Sequence, residues 1–245
     1  MKMTYKNFTA YYDEIVRGNW YSLDDEVNLI EEFIRKFWNG WKSILEFACG
    51  SGIVAWELQK KWYEVHGIDL SETMLEKAKG NMWFDNCSIW DMTVCDLKNQ
   101  YDVVLCNYNS ICHLTSWDAW QKCFENSHKH LKKWGVFIFD INTVSEFESI
   151  TRDFAQFYTL WEDTVCLDMK KKKWLYEWTV RMFQKQEEPW IYKRVIERIP
   201  ELSFEIDVIQ KALTEQWFQN IHLEDFHKWV VDNESERVYF IAKKI

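Results

Sequence analysis

The chain has 245 residues, of which 47% are hydrophobic and 28% charged, and its formal net charge is −9. This composition is typical of one globular domain, excludes a disordered or collagen-like chain, and disfavours nucleic acid and anionic lipid as partners, because both carry negative charge. No apolar run approaches the ~20 residues of a membrane helix, and residues 1–12 lack a signal-peptide pattern, so we expect a cytoplasmic protein without a membrane segment.

The first half of the chain begins with two predicted helices and then changes rhythm. Apolar residues recur at three- and four-residue intervals over residues 4–17 and 24–37, as on one face of an amphipathic helix. From Ser43 a short apolar run leads into the turn Cys49-Gly50-Ser51-Gly52, and a helical stretch follows over residues 53–61. This order predicts a strand, a glycine-rich turn and a helix.

Strands and helices continue to alternate up to about residue 145. Strands that alternate with helices and read as continuous apolar runs imply a parallel sheet covered on both faces, so we predict a doubly wound α/β domain. The further elements predicted here are strands over 63–68, 87–89, 101–106 and 136–141, and helices over 72–79 and 116–131.

Beyond residue 145 the apolar period shifts toward two. Segments 158–167, 174–184 and 191–199 are separated by charged turns, a pattern typical of an antiparallel insertion after the fifth strand. A helix over 204–214 is followed by two strands, over 217–226 and 237–243, that complete the main sheet. The prediction is a mostly parallel sheet of seven strands with a β-rich insertion.

Cysteine and tryptophan usage carry separate signals. The seven cysteines contain no C-x-x-C pair, so neither a disulfide framework nor a metal site is predicted.

The chain has sixteen tryptophans and only seven glycines, which inverts the usual proportion of these residues. Trp62, Trp134 and Trp217 stand between predicted helices and strands, where a left-handed residue, usually glycine, ends a helix. Either the core is unusually aromatic, or these are ancestral glycines replaced by design or by reading one codon under the wrong genetic code.

Two features place a ligand at the carboxyl ends of the first two strands, where ligands bind in open parallel sheets. The glycines of the turn from Glu46 to Gly52 let the backbone approach a ligand closely. Asp69 ends the second strand, 19 residues after Gly50, a position from which a carboxylate holds two ribose hydroxyls. The alternative for Asp69 is a simple acid at a helix N-terminus.

In this order and spacing, these motifs resemble those of class I S-adenosylmethionine-dependent methyltransferases. The resemblance covers residues 40–145 and implies a Rossmann-like domain that binds S-adenosylmethionine. The motifs that carry it are Ile44 to Gly52, Gly67 to Leu75, Asp91-Met92, Tyr101 to Asn107 and Leu131 to Asp140.

The resemblance also implies roles for individual residues. The turn after the first strand would lie under the methionine moiety and ribose, and Asp69 would hold the ribose hydroxyls. Asp91 would accept a hydrogen bond from the adenine amino group while Met92 packs on the ring. The predicted cofactor-binding residues are Tyr12, Glu46, Ala48, Cys49, Gly50, Gly52, Asp69, Leu70, Met74, Asp91, Met92, Cys106 and Asn107.

Two positions depart from the family pattern, and one other cofactor class remains open. Ala48 replaces the first motif glycine, and Trp90 stands where relatives often have glycine, which could crowd the adenine. Nicotinamide dehydrogenases space three glycines as G-x-G-x-x-G, and the third position here is Ala55, which some dinucleotide binders allow. Asp91-Met92 favours the methyltransferase.

The implied domain layout is a single methyltransferase-like domain over residues 1–245. It divides into N-terminal helices (1–40), a cofactor-binding core (41–145), a β-rich cover over the acceptor (146–200), and a C-terminal helix with the last two strands (201–245).

Methyl transfer chiefly requires positioning of the acceptor and exclusion of water, so no catalytic residue is obligatory. A base is needed only if the acceptor must lose a proton, and the candidates are Tyr12, Asn109 and His113, the last with a structural role as its alternative. We expect a small-molecule acceptor. A tRNA or protein methyltransferase, and a cofactor-binding protein without transfer activity, are the alternatives. The accepting atom and the oligomeric state have no signal in the sequence.

Overall fold

The structure of the protein is a computed structural model that describes residues 5–19, 22–37, 43–81, 85–153, 155–228, 230–232 and 234–245. The helices are α1 (Thr9–Asn19), α2 (Leu23–Phe37), α3 (Ile53–Lys60), α4 (Glu72–Asn81), α5 (Trp117–His130), α6 (Val144–Asp153) and α7 (Ile206–Glu215). A 3₁₀ turn covers Ser110–His113. Within the described residues, no helix combines the length and apolar character needed to cross a bilayer.

The strands fall into two sheets. They are β1 (Ser43–Phe47), β2 (Glu64–Asp69), β3 (Cys87–Ile89), β4 (Tyr101–Cys106), β5 (Leu131–Asn142), β6 (Ala155–Leu160), β7 (Asp163–Lys172), β8 (Leu175–Lys185), β9 (Tyr192–Glu201), β10 (Phe218–Asp225) and β11 (Arg237–Lys244).

The larger sheet has the order β10-β11-β5-β4-β1-β2-β3. The five strands from β5 to β3 run parallel, and β11 lies antiparallel between β5 and β10. The chain moves outward from β1 to β3 and then returns to β4 on the other side of β1, so strand order reverses between β1 and β4. This confirms the predicted doubly wound, mostly parallel sheet of seven strands.

Burial on both faces explains the continuous apolar runs of the parallel strands. All six residues of β4 are buried. Val103 and Leu105 belong to the apolar cluster that includes α2 and α3, whereas Val104 and Cys106 belong to the cluster that includes α5. Successive side chains of a strand point to opposite faces, so β4 contributes to the core on each side.

The smaller sheet follows β5 and has the antiparallel order β6-β7-β8-β9, which confirms the predicted β-rich insertion. Two details of the prediction were wrong. The strand expected over 158–167 is interrupted at Trp161 and Glu162, which join β6 to β7 as a hairpin turn. Helix α6 was not predicted, because its core side is represented mainly by Phe147 and Ile150, too few apolar residues for a clear period.

The N-terminal segment packs on the insertion. Its first predicted helix begins at Thr9 instead of residue 4, which lies outside the described residues. Phe8 and Tyr11 share an apolar cluster with residues of β7, β8 and β9. The Glu197 carboxylate of β9 accepts hydrogen bonds from the backbone N–H of Asn7 at 2.5 Å and of Phe8 at 3.4 Å. We call this contact the Glu197 clasp.

Among the residues that the structure describes, five tryptophans adopt the left-handed backbone conformation, with φ between 57° and 69°. They are Trp62, Trp134, Trp161, Trp190 and Trp217, and their side chains are exposed. An L residue in this region costs roughly 1–2 kcal/mol, and an exposed indole recovers little through burial. The left-handed conformation predicted for Trp62, Trp134 and Trp217 is confirmed, and the aromatic-core interpretation is wrong for all five.

Replacing Trp62 by glycine is expected to raise the free energy of unfolding by about 1 kcal/mol, since glycine tolerates positive φ but loses more entropy on folding. Trp62 is 91% exposed, so little packing is lost. The matched control is Trp174→Gly, at an exposed turn position with ordinary φ, where no increase is expected. Urea denaturation of the three proteins measures the difference, and an equal or lower value for Trp62→Gly would contradict the strain.

The glycine hypothesis makes a second prediction about protein from its native host. If one codon is read as glycine there, peptides covering positions 62, 134 and 217 will carry glycine in tandem mass spectrometry. Tryptophan at all three positions would show that the chain tolerates the strained turns as written.

Candidate functional site

A cavity with about 700 Å³ of empty space, counting its mouth open to solvent, lies beyond the carboxyl ends of β1 and β2, beside the point where strand order reverses. Such positions bind ligands in open α/β sheets. Its walls come from the N-terminal segment, the turns after β1 to β3 and the 3₁₀ turn after β4. The lining residues are Tyr5, Tyr12, Ala48, Gly50, Asp69, Leu70, Ser71, Met74, Trp90, Asp91, Met92, Ser110, His113 and Leu114.

The turn after β1 has a left-handed backbone at Ala48, Gly50 and Gly52, with φ of 53°, 55° and 74°. Gly52 is the N-cap of α3. No other atom lies within 4 Å of the position that a Cβ on Gly50 would occupy, so the turn leaves room beside the chain. A substituted residue would be strained at Gly50, and the open space allows a ligand to approach the backbone.

The Asp69 carboxylate connects this turn to the end of β2. Its Oδ2 accepts a hydrogen bond from the N–H of Gly50 at 2.8 Å, and its Oδ1 accepts one from the N–H of Ser71 at 2.7 Å. Burial raises the pKa of Asp69, and these backbone hydrogen bonds oppose the shift. Each carboxylate oxygen can accept a second hydrogen bond, so Asp69 retains the capacity to bind hydroxyl groups on the cavity side.

Glu46 lies in β1 behind the turn and is buried. Burial, and secondarily the negative charge of Asp69, raises the pKa of Glu46 to about 8. Its Oε2 atom has no hydrogen-bond partner among the described residues. A buried polar atom without a partner costs free energy, so this oxygen is suited to a ligand that carries a hydrogen-bond donor, such as a hydroxyl or an ammonium group.

Asp91 and Met92 form the wall beyond β3. The Oδ1 atom of Asp91 accepts hydrogen bonds from the N–H and the hydroxyl of Thr93, at 2.8 and 2.6 Å, which orient the carboxylate. Met92 is buried, and its sulfur lies 4.0 Å from the Cys106 sulfur. Trp90 is partly exposed at the cavity edge and has no left-handed backbone, so its conformation gives no reason for glycine at this position.

The structure brings eight of the thirteen predicted cofactor-binding residues to the cavity wall. These are Tyr12, Ala48, Gly50, Asp69, Leu70, Met74, Asp91 and Met92. The other five, Glu46, Cys49, Gly52, Cys106 and Asn107, do not line it. Cys106 points into the cluster with α5, and Cys49 is buried with its pKa raised by burial. They lie in the layer behind the wall.

A buried ionic cluster fixes the turn after β4. The Arg237 guanidinium donates two hydrogen bonds to Glu26, at 2.8 and 2.9 Å, and one to Asp140 at 2.7 Å. The same Asp140 oxygen accepts the N–H of Asn109 at 2.9 Å. Asn107 accepts a weak hydrogen bond from the Tyr239 hydroxyl at 3.4 Å. Asn107 and Asn109 therefore position the turn from behind the cavity, and neither is placed as a base.

Four wall residues were not assigned from the sequence: Tyr5, Ser71, Ser110 and Leu114. Ser71 had a signal, because it directly follows the second strand as a helix N-cap, and its hydroxyl accepts the Met74 N–H at 3.3 Å. Ser110 and Leu114 follow the fourth strand at the same edge of the sheet. Tyr5 had no signal, since its position depends on how the N-terminal segment packs on the insertion.

The known proteins similar to this chain include methyltransferases. A family model described as a methyltransferase domain matches residues 44–135. A putative methyltransferase of Geobacillus sp. (strain WCH70) is 26% identical over 253 residues, covering 99% of this chain and 100% of the relative. The solved structure of an S-adenosylmethionine-dependent methyltransferase from Clostridium acetobutylicum ATCC 824 has a TM-score of 0.84 at 23% identity, covering 98% of each chain. An amino pentose methyltransferase from Micromonospora echinaspora, solved with bound S-adenosylmethionine, has a TM-score of 0.75 at 16% identity, covering 100% of this chain and 99% of that one.

The raised pKa of Glu46 predicts a pH dependence of stability without ligand. Because the folded-state pKa of about 8 exceeds the ordinary 4.5, the unfolded chain ionises first and stability falls between about pH 4.5 and 8. In Glu46→Gln the fall in melting temperature from pH 5 to pH 8 is expected to be smaller than in the wild type. Differential scanning calorimetry measures it, with the exposed Glu14→Gln as control. An unchanged pH dependence would contradict the buried-carboxyl assignment.

Proposed function

Because this chain is a class I S-adenosylmethionine-dependent methyltransferase, we propose that it methylates a small molecule bound between the cofactor and the insertion. The main support for a small-molecule acceptor is the composition of the cavity wall. Its acceptor side is formed by two tyrosines of the N-terminal segment and by the 3₁₀ turn, and the insertion packs against both. The space between these elements suits a compact molecule.

The residues on the cofactor side fit S-adenosylmethionine. Gly50 leaves room for a ligand beside the backbone, and the Asp69 carboxylate retains the capacity to accept hydrogen bonds from hydroxyl groups on the cavity side. We assign the ribose hydroxyls to Asp69, the adenine amino group to Asp91 and the adenine face to Met92. When bound, the cofactor supplies a methyl group on a positively charged sulfur.

Charge supports a small neutral or cationic acceptor over a nucleic acid. Among the described residues that line the cavity there is no lysine or arginine, while Asp69 and Asp91 are acidic. A tRNA acceptor brings a phosphate backbone, and proteins that hold one do so with basic side chains. The same fold serves the amino pentose methyltransferase noted above, which supports a small acceptor.

The chain contributes positioning and exclusion of water. In-line transfer requires the accepting atom to be held opposite the sulfur, which the tyrosines and the 3₁₀ turn would do. Excluding water strengthens each electrostatic contact in the site and prevents hydrolysis of the activated methyl group.

Calorimetric titration is expected to show saturable binding of S-adenosylmethionine and none of NAD. In Asp69→Ala, loss of charge-assisted hydrogen bonds of about 2 kcal/mol would weaken binding by about 30-fold. The matched control is Asp118→Ala, on the exposed first turn of α5, which should bind as the wild type does. Unchanged binding in Asp69→Ala, or binding of NAD instead, would overturn the cofactor assignment to this cavity.

The acceptor class is tested by the destination of the methyl group. Tritium-labelled S-adenosylmethionine is incubated with the enzyme and a native-host extract separated into small-molecule, RNA and protein fractions. We expect label in the small-molecule fraction. Label in RNA or protein would replace the small-molecule proposal, and binding without transfer to any fraction would favour a non-catalytic cofactor-binding role.

A further inference from the structure

Three ionisable side chains form a series of contacts that begins at the cavity wall. The Tyr5 Oη forms a hydrogen bond of 3.1 Å with His113 Nε2, whereas His113 Nδ1 lies 3.4 Å from Glu201 Oε1 without a hydrogen bond among the described residues. The other Glu201 oxygen accepts a hydrogen bond from Trp178 Nε1 at 3.0 Å. Tyr5 and His113 line the cavity, whereas Glu201 lies behind them. We call Tyr5, His113 and Glu201 the acceptor-side relay.

The relay joins three distant parts of the chain. Tyr5 precedes α1, His113 ends the 3₁₀ turn after β4, and Glu201 ends β9 of the insertion. The N–H of Leu202 donates to the Cys112 carbonyl at 2.7 Å, which fixes the end of β9 against the turn. The insertion therefore supplies a carboxyl group directly behind a histidine of the cavity wall.

The burial of this group is difficult to explain by packing alone. Glu201 is 4% exposed and His113 is 9% exposed. Taking a carboxyl group out of water costs free energy, and a glutamine could accept the same hydrogen bond from Trp178 at a lower cost. Glu201 also does not form an ion pair with a lysine or arginine of the described residues.

The surroundings of the relay are neutral or negatively charged. The titratable and polar groups that face it are Tyr12 of α1, Asp69 at the end of β2, Cys112 of the 3₁₀ turn, Trp178 of β8 and Glu197 of β9. None of these groups is a cation, so nothing in this set holds Glu201 permanently ionised.

We propose that the acceptor-side relay takes up the proton that the methyl acceptor loses, and that the accepting atom is therefore an amine nitrogen or a hydroxyl oxygen that carries a proton. This inference rests on the methyltransferase function proposed above. An acceptor without such a proton, for example a thioether or a tertiary amine, would need no base.

The transfer balances as follows in atoms and charge. The acceptor attacks the methyl carbon, a bond from nitrogen or oxygen to carbon forms, and the carbon–sulfur bond breaks with its electron pair going to sulfur. The acceptor proton passes to Tyr5 Oη as the Tyr5 hydroxyl proton passes to His113 Nε2. The proton on His113 Nδ1 moves to the Glu201 carboxylate once the imidazole ring turns to close the 3.4 Å separation into a hydrogen bond, and exchange with water later returns the relay to its starting state.

Protonation of Glu201 sets the pH at which the relay works. Burial raises the pKa of Glu201 to about 8, with the Trp178 hydrogen bond opposing the shift. Burial lowers the pKa of His113 to about 4, so its ring is neutral at pH 7. Below about pH 8 Glu201 already carries a proton and cannot accept another. The rate should therefore rise with pH, reach half of its limiting value near pH 8 and level off about one unit higher.

The test measures initial rates of tritium transfer from pH 6 to 9.5, with the small-molecule fraction of native-host extract as the acceptor. Glu201→Gln is expected to lower the rate at pH 9 by about 100-fold and to flatten the pH profile, because the proton acceptor is lost. Glu201→Asp should restore part of the pH-dependent rise. Binding of S-adenosylmethionine should change by less than about threefold, which shows that the variants fold. Glu187→Gln, at an exposed position of the insertion, is the control.

Tyr5→Phe keeps the ring on the cavity wall and removes only the hydroxyl, so it serves if Glu201→Gln does not fold. We expect at least a tenfold lower rate with cofactor binding retained. Wild-type rates and pH profiles in Tyr5→Phe or in folded Glu201→Gln would overturn the relay alone. Absence of transfer by the wild-type enzyme to every fraction would overturn the proposed function, and the relay with it.

Discussion

The buried ionic cluster around Arg237 constrains the edge of the sheet where the site is built. Its guanidinium connects Glu26 of α2 to Asp140 of β5, and Asp140 in turn holds the N–H of Asn109. Breaking such a buried pair by removing one partner costs about 3–5 kcal/mol, because a charge is left without compensation. Since Asn109 follows β4 closely, the cluster fixes the 3₁₀ turn relative to the turns after β1 and β2 on the other side of the cavity. These two parts of the wall lie on either side of the point where strand order reverses, and the cluster keeps their relative positions fixed.

Local sequence signals were sufficient to predict that the turn after β1 and Asp69 lie together. The turn from Ala48 to Gly52 and the acid Asp69 each follow a buried strand directly, so strand position alone brings them together. The wall formed by Tyr5 and His113 depends on contacts between segments far apart in the chain. Tyr5 and His113 are separated by 108 positions in the sequence, and no sequence pattern around either residue predicts its contact with the other.

Turn chemistry explains the main error in the fold prediction. A hairpin is normally signalled by glycine or asparagine at positive φ, because those residues tolerate it. At the turn between β6 and β7 the position with φ of 57° is Trp161, and an aromatic residue reads as part of a strand. The two strands were therefore merged into one. Where the turn glycines were present, as at Gly50 and Gly52, the elements on either side were identified.

The Glu197 clasp has a consequence for how product leaves the enzyme. Tyr5 is part of the cavity wall, and residues 7 and 8 are tied to β9 by hydrogen bonds to one carboxylate. A wall that excludes water during transfer also retains the product. If product leaves by detachment of the N-terminal segment from β9, the strength of this one contact sets a trade-off between protection of the activated methyl group and the speed of product release. Selection for faster turnover could act on Glu197 without altering a single atom that touches the reacting groups.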